Sequence, residues 1–378
     1  MNIVIAPDSF KECLSAREVA VAIAEGIKEA CPQCSIVRIP VADGGEGTVE
    51  SMVEAAGGQI VEVESEDALR RPIRSFIGLL NDNSAAVIEM AAASGIGLIH
   101  SSERNPLITS TYGTGLLIRH ALEKGFKRII IGIGGSATND GGMGMAVALG
   151  YRFLDSNGRE VGHGGGNLKY VSVIDNSEVI PLLGDAEITV ACDVTNVLCG
   201  PQGASAVFGP QKGATPGMIE ELDAGLKHFA GSVRDKLGKN ILDVPGAGAA
   251  GGLGGGLLAF TPSVLKPGFE IVKNITKLEQ HIKEADLVFT GEGKIDFQTQ
   301  FGKTPYGVAQ IASKYGKPVI ALAGSIGPGA EVLLDKGITA YFGIADKPMS
   351  PEESVKSAGR LLQNTAQQVM RVFLKSKK

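Results

Sequence analysis

The sequence predicts an α/β protein: a Rossmann-like parallel sheet domain, discontinuous in the chain, with a mixed α+β domain inserted into it. Three observations carry that expectation. Short apolar runs of the kind buried on both faces of a parallel sheet recur in NIVIAP, SIVRIPV, RIIIGIG, DLVFTGEG, PVIALAGS and ITAYFGI. Helical patterns follow several of them, giving repeated strand–loop–helix units. In the middle of the chain, IVEVE, IRSFIGLL and AAVIEMA succeed one another with no helix between, and YRFLDSNGREV carries an Asn157-Gly158 hairpin turn. The expected division assigns residues 1–64 and 268–378 to the sheet domain, with 127–150 as a further candidate for it, and 65–267 to the insertion.

The first strand, NIVIAP, runs into Asp8-Ser9-Phe10-Lys11, a mixture of acid, hydroxyl and amine. SAREVAVAIAEGIKEA then opens with Ser15 as N-cap and Glu18 three residues on, a capping box, and Val19, Ile23 and Ile27 form a stripe at helical spacing. Cys31-Pro-Gln-Cys34 has redox-motif spacing but follows a helix where the thioredoxin-like motif opens one, so it reads as a helix-ending turn. SIVRIPV is the second strand, and TVESMVEAAGG the next helix, with Gly57 or Gly58 as its stop. Between them lies PVADGGEG. Two acids and three glycines at the carboxyl end of a strand fit a site for a cation travelling with phosphate, because bare amides and a helix N-terminus attract anions. The competing reading is a cap: Glu46 alone could serve the helix, which leaves Asp43 as the functional member beside Gly44 and Gly45. The C-terminal stretch after Ala345 carries no motif, and from Glu353 it reads as a packing helix.

Composition bounds the function classes. The chain has 378 residues, 44% hydrophobic and 20% charged, and 36 basic against 41 acidic residues leave a formal charge of −5. That is an ordinary globular composition, too acidic for a default nucleic-acid binder. Glycine is the outlier: 52 residues, about twice the usual share of roughly 7%, clustered where apolar runs end. Five cysteines, an odd and sparse set, argue against a secreted disulfide framework and for a reducing cytoplasm. No basic leader precedes Asp8. Val244 to Leu265 is long and uncharged, but its seven glycines and Pro245 and Pro262 make it too weakly apolar to span a membrane.

Several chemistries compete. Gly132-Ile-Gly134-Gly135-Ser136-Ala137 fits a dinucleotide fingerprint with Asp155 about 20 residues on as ribose ligand, and Gly246 to Gly251 fits it too. Neither follows the first strand of the sheet, and chance matches are expected in so glycine-rich a chain. A small hydroxy-acid oxidoreductase using NAD(P) therefore stands as an alternative, as does a non-catalytic sugar-acid-binding protein. A serine hydrolase fails for want of a GxSxG elbow, although His163-Gly164-Gly165-Gly166 resembles an oxyanion-hole segment. A phosphotransferase needs backbone amides around phosphates, acids for Mg²⁺, a basic group and a carboxylate beside the acceptor hydroxyl. The chain has these in surplus. Gly291-Glu292-Gly293-Lys294-Ile295-Asp296 puts acids and a lysine at a strand end, and Gly302-Lys303-Thr304 ends like a Walker A motif whose first glycine is replaced by Phe297.

APDSFKECLSA, PVADGGEGTVE, IEMAAASG, GIGGSATNDGG, ACDVTN, FGPQKGA, PGAGAAGGLGGG and TGEGKID, in this order over nearly the full chain, resemble the bacterial class I glycerate kinases. Cys13 departs from the serine or glycine expected there. The resemblance implies ATP-dependent, Mg²⁺-assisted phosphorylation of D-glycerate within glyoxylate or related sugar-acid metabolism, with 2-phosphoglycerate as product and 3-phosphoglycerate as the alternative. Asp193, ending the apolar run ITVACD, is the expected base for the substrate hydroxyl, with an Asx-turn beside Asn196 as the competing reading. Asp43 and Lys11 join it as catalytic candidates. Asp8, Ser9, Asn196 and Lys212 are expected on the substrate, and Gly44, Gly45, Gly134, Gly135, Ser136, Gly291 and Lys294 around the nucleotide phosphates. Asp43, Glu292 and Asp296 are expected on the metal. The expected partner is this small anion, with neither nucleic acid nor membrane, and a homo-oligomer is compatible with the sequence.

Overall fold

The structure, a computed structural model, describes residues 1–10, 13–41, 47–81 and 84–376. Its strands, in chain order, are β1 (Asn2–Ile5), β2 (Ser35–Arg38), β3 (Gly58–Glu66), β4 (Pro72–Leu80), β5 (Ala86–Glu89), β6 (Arg128–Gly132), β7 (Arg152–Leu154), β8 (Val173–Asp175), β9 (Glu187–Ala191), β10 (Ser263–Lys266), β11 (Leu287–Ile295), β12 (Val319–Ile326) and β13 (Ala340–Gly343). The chain forms two compact units, one of Met1–Ala42, Glu50–Ala56 and Phe269–Lys378, the other of Asp43–Val49 and Gly57–Gly268.

The first unit holds a five-stranded sheet in the order β13-β12-β11-β1-β2, parallel throughout. Its strands are apolar because helices cover their faces. The helix Ala16–Ala30 starts with the capping box read from the sequence: the Glu18 amide donates to Ser15 Oγ at 3.2 Å and the Ser15 amide to Glu18 Oε2 at 2.8 Å. Val19, Ile23 and Ile27 pack with Ile3, Ile5, Leu287 and Phe289. The helix Pro351–Ser376 adds Leu361, Leu362 and Met370 to the same core. Cys31 ends the first helix by donating to the Ile27 carbonyl, and Cys34 turns back onto Cys31. The helix-ending turn is as expected, but the two buried thiols are joined in a disulfide, which the reading of reduced cysteines did not include.

The second unit holds a six-stranded sheet in the order β10-β9-β6-β5-β4-β3. β10, β9, β6 and β5 are parallel, and β4 and β3 continue the sheet antiparallel. This is the mixed character expected of the insertion. One boundary differs from the expectation: β3, assigned up to residue 64 to the first domain, is the edge of this second sheet. β6, in the 127–150 segment that is also a candidate for the first domain, lies near the centre of the second sheet, within the 65–267 insertion. Short hydrophobic strands look alike, and their choice of sheet is made by partners far away in sequence. The Asn157-Gly158 hairpin forms, with Gly158 at φ 77° and an isolated bridge between Leu154 and Glu160.

The glycine-rich stretch after Val244 builds the helix Ala249–Phe260, interrupted by left-handed backbone at Ala250, Gly251 and Gly252. A Cβ on Gly251 would lie 2.0 Å from the Thr138 carbonyl oxygen, so this position requires glycine for contact as well as for conformation. Among the described residues, no helix is long and apolar enough to cross a membrane.

Candidate active site

In the first unit the polar residues gather at the carboxyl edge of the parallel sheet, where doubly wound folds bind ligands. Asp8 follows β1, its amide donating to the Gly291 carbonyl at 2.8 Å. Its Oδ1 accepts from the Ser9 amide at 2.6 Å and its Oδ2 from the Thr304 hydroxyl at 3.0 Å. Gly291 lies inside β11, where a Cβ would meet the Leu322 carbonyl at 2.3 Å. Its backbone is thus part of the β11–β12 ladder, opposite Leu322. β11 does not end at Gly291: Glu292 and Lys294 remain in register with Ala323 and Ser325 of β12. Glu292, 6% exposed, accepts from Thr299 Oγ1 at 2.5 Å and Lys303 Nζ at 2.9 Å. Asp296 caps the turn Phe297–Gln300 by accepting from the Gln298 amide at 2.9 Å, and Lys294 Nζ stands 3.4 Å away. Burial pushes the Asp296 carboxyl up, but the Gln298 amide and Lys294 together hold it below the usual aspartate range.

In the second unit β5, β6, β9 and β10 end in one row, with Glu89 opposite Gly132, Gly132 opposite Ala191 and Ala191 opposite Lys266. Gly134, Gly135 and Ser136 follow β6. The Gly135 carbonyl accepts from the Ile96 amide at 2.8 Å, Ala137 donates to Ser94 at 2.9 Å, and Gly135 has φ 74°. Asp193 follows β9 and is exposed, with Oδ1 accepting from the Gly268 amide at 3.0 Å. That bond spans 75 residues and ties the end of β9 to Gly268. Asn196 donates from Nδ2 to the Gln202 carbonyl, and its own carbonyl accepts from Gly246 and Gly248.

Lys212 takes a place different from the expected one. It is 1% exposed, with Nζ donating to the Thr138 carbonyl at 2.7 Å. Burial pushes the amine down to about 7, partly offset by Asp140. Asp140 is itself fully buried and its carboxyl raised by that burial, against donors from the Thr111 amide and hydroxyl, Gly142 and Gly144. Lys212 thus anchors the 134–142 loop through Thr138, and Asp140, within that loop, ties it to Thr111. Asp155 is occupied within its hairpin, accepting from the Asn157 and Arg159 amides, so it is no ribose ligand. His163 stacks edge-on to Tyr112 and meets Arg70 Nη1 at 3.0 Å, a side-chain cluster unrelated to hydrolase chemistry.

Lys11, Asp43, Gly44 and Gly45 lie outside the described residues. The structure brings together Asp8, Ser9, Gly291, Glu292, Lys294 and Asp296 in the first unit, and aligns the Gly134–Ser136 loop with Asp193 in the second. Sequence reasoning missed Thr299, Lys303 and Thr304 as partners of these acids, although Gly302-Lys303-Thr304 had stood out as phosphate-loop-like. It also missed Asp140, whose signal was its place between Asn139 and two glycines. Among the described residues, no group of three or more His, Cys, Asp or Glu side chains is placed to hold a metal ion unaided. Mg²⁺ bound through nucleotide phosphates needs only one or two carboxylates, and the donor chemistry of Glu292 and Asp296 fits that mode.

Comparison with known proteins adds the following. A family model described as the glycerate kinase family matches residues 3–374. A glycerate kinase from Halalkalibacterium halodurans is 50% identical, over 97% of each chain. The glycerate 2-kinase of Escherichia coli K12 is 51% identical, over 95% of this chain and 94% of its own. The crystal structure of a candidate glycerate kinase 2 from Salmonella typhimurium LT2 superposes with a TM-score of 0.88 at 49% identity, covering 100% of this chain and 99% of that one.

Proposed function

The chain belongs to the glycerate kinase family, and from that premise we propose that it transfers the terminal phosphoryl group of ATP to a hydroxyl of D-glycerate, releasing ADP. The observation that carries the reading is the carboxyl-edge cluster of the first unit, where Glu292, Asp296, Lys294, Lys303 and Asp8 are joined by Thr299 and Thr304. Acids and lysines interleaved on one sheet edge suit a polyanion with its divalent cation. The oxidoreductase and the passive binding protein find no support in the family or in Asp155.

Transfer requires the acceptor oxygen to approach the γ-phosphorus while its proton leaves. Asp193 is the base in this reading, its carboxylate oriented by the Gly268 amide. Lys294 and Lys303 are assigned to the phosphate charge, and the amides of Gly134, Gly135 and Ser136 to the phosphates as well. Lys11 is assigned the same task and Asp43 a metal-binding one. Glu292 and Asp296 would hold Mg²⁺, which when bound would neutralise phosphate charge. Ser9, Asp8 and Asn196 are assigned to glycerate. Lys212 is given a supporting part at the 134–142 loop, since a buried amine bonded to a carbonyl has no surface from which to meet substrate. The product is 2-phosphoglycerate, the reading supported by the E. coli relative named a glycerate 2-kinase. A cytoplasmic place and a role in glyoxylate or sugar-acid metabolism go with it.

The test is NMR of the product made from ATP, Mg²⁺ and D-glycerate, in which phosphorus coupling to the C2 proton identifies 2-phosphoglycerate and coupling to the C3 protons the 3-isomer. No ADP release would remove the kinase reading altogether. In the same assay Asp193→Asn should lower kcat by roughly 10²–10⁴-fold with little change in KM. Wild-type turnover in that variant would leave Asp193 a structural residue.

A further inference from the structure

The turn that follows β11 exposes large apolar side chains beside the charged cluster. Phe297 is 51% exposed, Phe301 75% and Ile326 41%. Single exposed apolar residues are ordinary, but aromatic side chains concentrated at one ligand-binding edge are not. Their backbone is tightly fixed. The Phe297 amide donates to the Pro328 carbonyl at 3.1 Å and the Gly327 amide to the Ile295 carbonyl at 2.7 Å, while Asp296 caps the turn. A Cβ on Gly329 would sit 2.7 Å from the Phe297 Cβ, so Gly329 lets the 326–329 segment lie flat against Phe297. Two exposed aromatic side chains are thus carried by a hydrogen-bonded turn.

What lies next to them defines the occupant. Lys294 and Asp296 shortly precede Phe297, and Lys303, paired with Glu292, follows the turn in sequence. A ligand matching this sequence of chemistries has a planar apolar ring at one end and a polyanion at the other. A second copy of the chain would cover the rings alone, whereas a nucleotide would also engage Lys294 and Lys303, which stand paired with Asp296 and Glu292. The geometry points to Phe297 and Phe301, with Ile326, as the seat of the purine ring of a nucleoside di- or triphosphate whose phosphates reach Lys294 and Lys303. This rests on the kinase reading for the presence of the nucleotide, and adds where its base is held. Stacking on a phenyl face is tolerant of base identity, so the seat selects a planar ring and discriminates weakly between adenine and guanine.

The absence of tryptophan from the sequence provides a clean reporter. In Phe301→Trp and, separately, Phe297→Trp, the lone indole should be quenched by Mg²⁺-ADP and by adenosine, and left unchanged by tripolyphosphate or D-glycerate. In Phe297→Ala/Phe301→Ala, the KM for ATP should rise about 10- to 100-fold, the range of one or two lost stacking contacts. Its KM for glycerate and its thermal midpoint should stay near wild type, because both side chains are exposed. Glycerate phosphorylation with an unchanged KM for ATP, and no quenching by ADP, would overturn the seat while leaving the kinase reading intact. Indole fluorescence that follows protein concentration and ignores nucleotide would also overturn it, in favour of a contact between chains. Absence of phosphorylation by the wild type, with ADP still quenching the indole, would remove the kinase reading and keep the seat.

Discussion

Lys212 shows how far one residue's chemistry can depart from its appearance in the sequence. In FGPQKGA it looks like a loop cation available to an anion. Folded, it is buried with one carbonyl acceptor at 2.7 Å and an amine pushed down to about 7. The sign of the consequence follows directly. The unfolded lysine keeps its proton up to its ordinary value of 10.5, whereas the native one releases it near 7. Between those values the unfolded state binds more protons, so stability rises with pH, by at most about 1.4 kcal/mol per pH unit from this group. Below pH 7 the full penalty of a buried charge is present. Lys212→Met should therefore flatten the stability–pH profile between pH 7.5 and 9.5, measured by urea unfolding at each pH. Parallel profiles for variant and wild type would mean the amine stays charged in the native state. The buried neighbour Asp140, common to both proteins, titrates with the opposite sign, because a raised carboxyl makes the native state the greater proton binder above pH 3.8. Nothing in the local sequence announces this pair: residues 140 and 212 are brought together by the fold.

At the scale of elements, the legible features were those whose cause is local. The Ser15 capping box, the Val19-Ile23-Ile27 stripe, the Gly57 helix stop at φ 76° and the Asn157-Gly158 turn all follow from neighbours a few residues apart. The sheet that β6 joins is not legible from its own residues, and Glu292 and Lys294 look as if they follow a strand end, because both questions are decided by distant strands. Gly291 and Gly293 imitate a strand terminus, yet β12 continues the ladder past them. The pairing of the helices Ala16–Ala30 and Pro351–Ser376 is another non-local feature, and glycine makes it testable. A Cβ on Gly26 would lie 2.0 Å from the Gln363 carbonyl oxygen, whereas one on Gly359 of the partner helix meets nothing within 4 Å. Gly26→Ala should destabilise by about 2 kcal/mol or more, since backbone would have to move to relieve the overlap. Gly359→Ala should stabilise by about 0.5–1 kcal/mol through helix propensity alone. Chemical denaturation of the two variants checks the opposite signs, and a neutral Gly26→Ala would show that the helices are not in close contact there.

At the scale of the whole molecule, the two units differ in how the chain supplies them. The core of the first joins Ile3, Ile5 and Val19 from one end to Leu287, Phe289, Leu361 and Met370 from the other, so its sheet cannot be completed until the C-terminal part is made. The core of the second runs from Val63 to Phe260 without leaving the segment Gly57–Gly268. All six strands of its main sheet lie within that segment as well. A segment that holds its own core and all six strands of its sheet meets the physical conditions for folding alone. Residues 57–268 expressed by themselves should therefore give a cooperative thermal transition and native-like far-UV circular dichroism. Residues 269–378 expressed alone should not, because they carry β11, β12 and β13 but lack β1, β2 and the helix Ala16–Ala30 that cover Phe289 and Leu287. That fragment should recover structure only when a peptide of residues 1–56 is added, which mixing experiments followed by circular dichroism would reveal. A molten, non-cooperative 57–268 would mean that the second unit needs the chain ends to order it, and folding would then have to wait for the entire sequence.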